Sequence, residues 1–261
     1  KELIKKGFVP NFWRGMTDND YGNFLLLRAG NWKRASQKDK ASSVRIVHQS
    51  QDSVQLEVVY QLGLNGRFSI VYTIHKDARM KVAIVLKRGI LGRSELPRVG
   101  LKIQLIPSNQ QLKWFGRGPF ENYQDRKDAA HVAQYQSTVQ QQYVPYIRPQ
   151  ENGYKTDVRW LQLTDASGAG FLFQGKQQVF CFSALPYLDE DFQASVRALG
   201  WANAQNQHYS DLKVRPMTAL NIDLMQQGLG GDDSWWTKPH KPYRLNERVY
   251  SYQFWMQAIQ L

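Results

Sequence analysis

Cysteine is nearly absent. The 261 residues contain one, Cys181, which leaves no partner for an intrachain disulfide and no thiolate cluster for a metal. No apolar run approaches the roughly 18 residues that a bilayer-spanning helix needs. Blocks of like charge are missing too, although 34 Lys and Arg stand against 22 Asp and Glu and the formal net charge is +12. The basic side chains of the N-terminal segment (Lys1, Lys5, Lys6, Arg14, Arg28, Lys33, Arg34, Lys38, Lys40) are scattered rather than grouped. Zinc-finger spacing, basic-region heptads and an RRM signature do not occur. The excess charge reads as a dispersed, solvated surface, so neither nucleic acid nor membrane is an expected partner. There is no Gly-x-Ser-x-Gly elbow and no repeated βαβ spacing, which argues against a parallel α/β sheet. The chain starts at Lys1 rather than Met, with no signal peptide in view, and is expected to be a processed chain or an excised piece.

What is present is apolar and aromatic in quantity: 42% hydrophobic and 13% aromatic residues exclude a disordered chain. The dominant period is two. Val54–Tyr60 and Phe68–Ile74 alternate, and Asn65-Gly66 between them predicts a tight hairpin turn. Met80–Leu86 and Val99–Ile106 extend the series. Further strand candidates are 158–163, 170–174, 179–183, 220–224 and 248–257. Helical signals are sparse; Asp189–Leu199 predicts about two turns, with acidic residues at its start. Many short strands joined by turns imply a large antiparallel sandwich in one domain spanning 1–261. Residues 1–40 show no clear strand and are expected to wrap the sandwich or contact a neighbour.

Three loops are too specific in composition to be filler. In Pro10–Gly22, Thr17, Asp18, Asn19 and Asp20 can each bond nearby backbone, giving a self-supported turn. Calcium is disfavoured there because the twelve-residue ligand loop with its closing Glu is missing. In Trp114–Arg126, Glu121, Asp125, Arg117 and Arg126 stand close enough in sequence to pair. An unpaired charge in such a loop costs roughly 3–5 kcal/mol, so structural ion pairs are favoured over a catalytic Glu121. Gly116-x-Gly118 has no following helix to make it a phosphate site. In Gly228–Trp236, three glycines and two acids, Asp232 and Asp233, present the indoles of Trp235 and Trp236. Those rings suit stacking on a sugar face with carboxylates taking hydroxyl hydrogen bonds, or packing at the sandwich edge; the spacing leaves both open.

Single polar residues have plainer readings. His48, His75, His131 and His240 read as surface or satisfied groups. His208 near Asp211 is an acid–base candidate, with a structural hydrogen bond the favoured alternative. Cys181 between Phe180 and Phe182 reads as a small core residue.

Taken together, "PNFWRGMTDNDYG", "WFGRGPFENYQDR", "YVPYIRPQENG" (Tyr143–Gly153) and "GLGGDDSW" (Gly228–Trp235) resemble the large β-galactosidases of glycoside hydrolase family 2. The resemblance covers essentially the whole chain, but only the C-terminal domain of that family. It implies an all-β, antiparallel supersandwich related to galactose mutarotase. It also implies retaining hydrolysis of terminal β-D-galactosyl residues by two glutamates that lie in a TIM barrel. No eightfold βα pattern occurs, so that barrel is expected ahead of Lys1 and no catalytic residue or metal ligand is expected within this chain. Mg2+ and a monovalent cation are cofactors implied for the other domains. The partners implied are the galactoside, the chain's own barrel domain and a second copy of the whole enzyme. By the same resemblance Trp235 stacks on the sugar or aglycone and Asp232 and Asp233 shape the loop; Trp236 departs from the family's pattern, a second aromatic expected to alter aglycone preference. Arg117, Glu121, Asn122, Asp125 and Arg126 become a structural loop facing the barrel. Rival readings are an aldose 1-epimerase, using His208 with Glu121 or Asp233, and a carbohydrate-binding module. The compartment, cytoplasm or periplasm, is left open.

Overall fold

The structure, a computed structural model, describes residues 2–192, 208–233 and 236–260. Its strands in chain order are β1 (Ile4–Asn11), β2 (Ser43–Gln49), β3 (Ser53–Gln61), β4 (Gly66–His75), β5 (Arg79–Arg88), β6 (Arg98–Leu105), β7 (Gln111–Gly118), β8 (His131–Thr138), β9 (Lys155–Val158), β10 (Trp160–Thr164), β11 (Ala169–Gln174), β12 (Phe180–Leu185), β13 (Thr218–Gln226) and β14 (Val249–Gln260). Two helices, α1 (Asp18–Gly22) and α2 (Leu25–Ser36), follow β1. The strands make a five-stranded sheet in the order β1-β6-β13-β12-β9 and a nine-stranded sheet in the order β2-β3-β4-β5-β14-β11-β10-β7-β8. Every described pairing is antiparallel.

Alternation decides which face of the large sheet turns inward. Val82, Ile84 and Leu86 of β5 and Tyr250, Tyr252, Phe254 and Met256 of β14 are buried. They meet Leu101, Ile103 and Leu105 of β6, Ile222 of β13 and Phe180 and Phe182 of β12 in one core. Full burial of one such aliphatic or aromatic side chain contributes about 1.5–3 kcal/mol. The all-β sandwich read from the sequence is the observed fold.

The small sheet departs from an ordinary sandwich layer. β6, β12 and β13 are buried on both faces. Away from the core, the ladder sets Asn11, Gly100, Asp223 and Cys181 in one row across four strands, with Lys102, Asn221 and Ser183 in a parallel row. This polar outer face is roofed by loops instead of water. Gly100 shows how tight the row is, because a Cβ there would lie 1.7 Å from Asp223 Oδ1.

Several sequence expectations are corrected. The N-terminal segment does contain a strand: β1 pairs with β6, at the edge of the small sheet. Its Lys5, Lys6, Gly7 and Pro10 had hidden the period. α2 was missed as well, though Leu25, Ala29, Trp32 and Ala35 form its buried stripe. Asn65-Gly66 does not make a two-residue turn; Gln61 pairs with Arg67 and a 3-10 turn over Gly63–Asn65 joins β3 to β4. The Asn65 amide is used instead to dock α2, donating to Asn31 O at 3.0 Å. The single strand expected over 158–163 splits, with β9 pairing with β12 in one sheet and β10 with β7 and β11 in the other. Of the helix expected over Asp189–Leu199, the described part, Asp189–Phe192, is a 3-10 turn; the rest lies outside the described residues.

Gly100→Ala is therefore expected to lower stability by roughly 1–3 kcal/mol through overpacking. Gly7→Ala, whose Cβ meets nothing within 4 Å, should stay within about 0.5 kcal/mol of the parent chain. Urea midpoints for the two variants check this.

Candidate functional site

The four motif segments form the roof over the polar face of the small sheet. Its first part is built by a helix cap. Thr17 Oγ1 accepts from Asp20 N at 3.1 Å, and Asp20 Oδ2 accepts from Thr17 N at 3.1 Å. Capped in this way, Asp20 presents both oxygens to Arg14: Nε to Oδ2 at 3.0 Å and Nη2 to Oδ1 at 2.9 Å. Both partners are buried, so the pair holds only because the fork matches the carboxylate and its remaining protons find acceptors. Those acceptors are the carbonyls of Gln227, at 2.8 Å, and Gly228, at 3.1 Å. Arg14 thus fixes the root of the glycine-rich loop. Asp18 carries no such load; it pairs with Arg148, whose guanidinium also lies 4.1 Å from the Tyr21 ring centroid.

The second segment holds the same loop from the other side. Asp125 accepts from Leu229 N at 3.1 Å and Gly230 N at 3.0 Å, and Asn19 Nδ2 donates to Leu229 O at 3.3 Å. Glu121 is buried and saturated, accepting from Gly153 N at 2.8 Å, Tyr123 OH at 3.2 Å, Tyr146 OH and Arg126. Asn122 takes Thr156 N and Oγ1. Arg117 pairs with neither Glu121 nor Asp125, as its place in the sequence had suggested, but with Asp157 at 2.5 Å. The structure therefore joins Arg126 to Glu121 and sends Arg117 and Asp125 elsewhere.

Within the third loop, Asp233 caps its own turn, accepting from Trp236 N, Thr237 N and Thr237 Oγ1. Asp232 lies 2.8 Å from His240 Nε2 at the surface. Trp236 is 72% exposed, with its ring centroid 5.1 Å from that of Phe24. Trp235 lies outside the described residues.

Beneath the roof sits a charge cluster that the sequence did not disclose. Arg98 has no exposed surface and faces Glu151 at 2.7 Å, Asp189 at 3.3 Å and Asp223 at 3.3 Å. Glu151 also binds Gly15 N at 3.1 Å and Gln226 Nε2 at 2.7 Å, tying the Tyr143–Gly153 segment to the first loop. Asp189 accepts from Asn11 Nδ2 at 2.9 Å, and Asn11 also donates to Asn221. One guanidinium cannot neutralise three buried carboxylates. Burial and the neighbouring charges of Asp189 and Glu151 push Asp223 up to about 8 despite Arg98. Burial likewise raises Glu151, while Arg98 and Lys102 overcome burial at Asp189 and hold it below the usual range. Arg14 and Glu151 lay inside quoted motifs, but Arg98, Asp189 and Asp223 carried no motif signal.

Among the described residues, no group of three or more His, Cys, Asp or Glu is placed to hold a metal ion. His208 is exposed, and its backbone N–H donates to Asp211 at 3.0 Å. The Cys181 thiol is buried and pushed up to about 12, which keeps it protonated.

Comparison with known proteins places this arrangement. The family model described as "Beta galactosidase small chain" matches residues 1–256. A β-galactosidase of Priestia megaterium is 36% identical over 99% of this chain and 24% of its own length. One from Lactobacillus delbrueckii subsp. bulgaricus is 32% identical over 94% of this chain and 23% of its own length. One from Vibrio cholerae is 31% identical over 96% and 24%. The chain thus spans about a quarter of the length of the curated relatives it matches. Among solved structures, a galactose mutarotase related enzyme from Lactobacillus acidophilus aligns over 84% of this chain and 72% of that one, with 5% identity and a TM-score of 0.40.

Two outcomes are expected. Asp125→Ala removes the acceptor for two loop amides, so hydrogen exchange at Leu229 and Gly230 should quicken by about tenfold or more, as loss of an opening free energy of about 1.4 kcal/mol implies. Asp223 has a folded pKa raised above its ordinary 3.8, so its stabilising contribution is complete below that value and is lost as pH rises to about 8. Asp223→Asn, which mimics the protonated form, should therefore show a flatter loss of stability between those limits in pH-dependent urea melts.

Proposed function

The chain belongs to the β-galactosidase small-chain family, and on that basis we propose that it is the C-terminal supersandwich of an enzyme that hydrolyses terminal β-D-galactosyl residues. The bond-breaking carboxyls are assigned to a TIM-barrel domain of the same enzyme. There one glutamic acid protonates the leaving oxygen and a second attacks the anomeric carbon, a retaining arrangement with carboxyls about 5 Å apart. Mg2+ and a monovalent cation belong, in this reading, to those other domains, and the whole enzyme assembles from more than one copy.

This chain's own part is positional. It buttresses the barrel and holds Gly228–Trp236 at the mouth of the active site. Trp235 stacks on the substrate, Asp232 and Asp233 set the loop's shape, and Trp236 beside Phe24 offers a second ring on the aglycone side. The observation that carries the reading is the anchoring of the loop by Arg14, Asn19 and Asp125, which come from two motif segments distant in sequence. Such redundant anchoring suits an indole that must meet a sugar face in one geometry, because a loosely held contact contributes little to transition-state binding. The saturation of Glu121 by four donors speaks against its serving as the acid or base of an epimerase.

The isolated chain is expected to give no turnover of an aryl β-galactoside, and addition of the N-terminal portion of the enzyme should restore it. In the restored enzyme, Trp235→Ala should lower kcat/KM by about tenfold to a hundredfold. Turnover by the chain alone would sink this assignment.

A further inference from the structure

Cations that look scattered in the sequence gather on one face of the fold. Along the strands of the nine-stranded sheet, one set of side chains fills the core and the alternate set points away from the small sheet. On that outer face β5 presents Arg79, Lys81 and Lys87, and β7 presents Lys113 and Arg117. Arg45 of β2 and Arg67 of β4 stand there too, sharing Glu57 at 2.6 Å and 3.1 Å. Glu57 is the only carboxylate in the nine strands. Arg79 and Arg117 find acids beyond the strand ends, in Asp77 and Asp157. Lys81, Lys87 and Lys113 pair with no carboxylate among the described residues.

The two basic strands flank β14, β11 and β10, so they border an uncharged strip, about 19 Å from one to the other at about 4.8 Å per strand. The ladder sets Phe115, Trp160, Gln174 and Trp255 in one row across it, ending at Lys81. The next row holds Gln136, Lys113 and Gln162, which with Gln111 line an open cleft of about 630 Å3. Gln111, Lys113 and Gln136 are exposed and Gln162 is half-exposed, and no other described residue engages their side chains. Free ammonium groups call for an anion, and amides that both donate and accept call for hydroxyls. A half-exposed indole suits a C–H face. Arg159 lies 5.5 Å from the Phe115 ring, while Trp255 has His75 stacked at 5.3 Å and Lys176 Nζ at 4.8 Å, which leaves Trp160 as the open ring. One open ring is not the run of stacking platforms that single-stranded nucleic acid uses, and a strip of amides offers a bilayer no apolar anchor. We propose that the outer face of the nine-stranded sheet binds an acidic polysaccharide. Its carboxylates meet Lys81 and Lys113, its hydroxyls meet Gln111, Gln136 and Gln162, and a sugar ring lies on Trp160. This face is on the side of the sandwich opposite the roof, so the proposal is independent of Gly228–Trp236 and of the assignment to a β-galactosidase.

The test titrates an oligogalacturonate and its methyl ester, which keeps the hydroxyls and loses the charge, into the full chain by calorimetry. The acid should bind about tenfold or more tightly than the ester, and less tightly as salt is added. Replacing two exposed lysines together, Lys81→Gln with Lys113→Gln, should weaken binding about tenfold, and Trp160→Ala about fivefold to tenfold. Lys213→Gln with Lys241→Gln removes the same charge from loops outside the nine-stranded sheet and should leave binding within about twofold. The proposal is overturned by silence with the acid up to millimolar concentration, by equal binding of acid and ester, or by undiminished binding in Lys81→Gln/Lys113→Gln. An equal loss in the loop pair would assign the attraction to net charge and overturn the face. Tighter binding of single-stranded DNA or of anionic phospholipid vesicles would overturn the saccharide.

Discussion

A guanidinium without exposed surface, shared among three carboxylates, is the constraint on which the rest of the structure depends. Arg98 rises from the start of β6 and meets Glu151 from one roof segment, Asp189 from the 3-10 turn after β12 and Asp223 from the neighbouring strand. Removing a charge of this kind from water costs several kcal/mol, so it is tolerated only where geometry and further hydrogen bonds compensate. The roof is that compensation. Tyr143–Gly153 delivers Glu151 to Arg98, and the root of the glycine-rich loop delivers the carbonyls of Gln227 and Gly228 to Arg14, a second guanidinium that cannot reach solvent.

The division of labour between the two sheets follows from this. The nine-stranded sheet is ordinary, with an apolar inner face and a wetter outer one, and its energetics are those of hydrophobic burial. The five-stranded sheet is apolar towards the core and polar towards the roof, and its outer face gives up water for a network in which Asn11, Asn221 and Ser183 also take part. A network of this type is highly directional. It favours one arrangement of the loops over many of similar compactness.

How much of this the residues announce depends on which force sets the element. Strands with clean alternation, such as those around Ile70, Ile84 and Tyr252, were legible because a half-buried strand must show its period. β1 was hidden since Lys5 and Lys6 interrupt it and its later residues are buried on both faces. Asn65-Gly66 misled because the amide of Asn65 finds a tertiary partner in Asn31, which outweighs local turn preference. At the site, the loops stood out by composition, yet pairings did not: Arg117 chose Asp157, forty positions away, over nearer acids. Arg98 and Asp223 sit in strands where nothing in the local pattern marks them, because long-range electrostatics leaves no period in a sequence.

The clamp between Arg14 and the carbonyl of Gly228 joins residues 214 positions apart. Contacts of such separation close late, after the entropy of a long intervening loop has been met by other interactions. During synthesis Arg14 and Asp20 precede the loop they will hold, Arg14 standing 214 positions before Gly228. The Gly228–Gly230 backbone can therefore be seated only on a molecule whose sandwich is already assembled. Assembly order itself then acts as an inspection step, in which a misbuilt sandwich has no place to seat the loop.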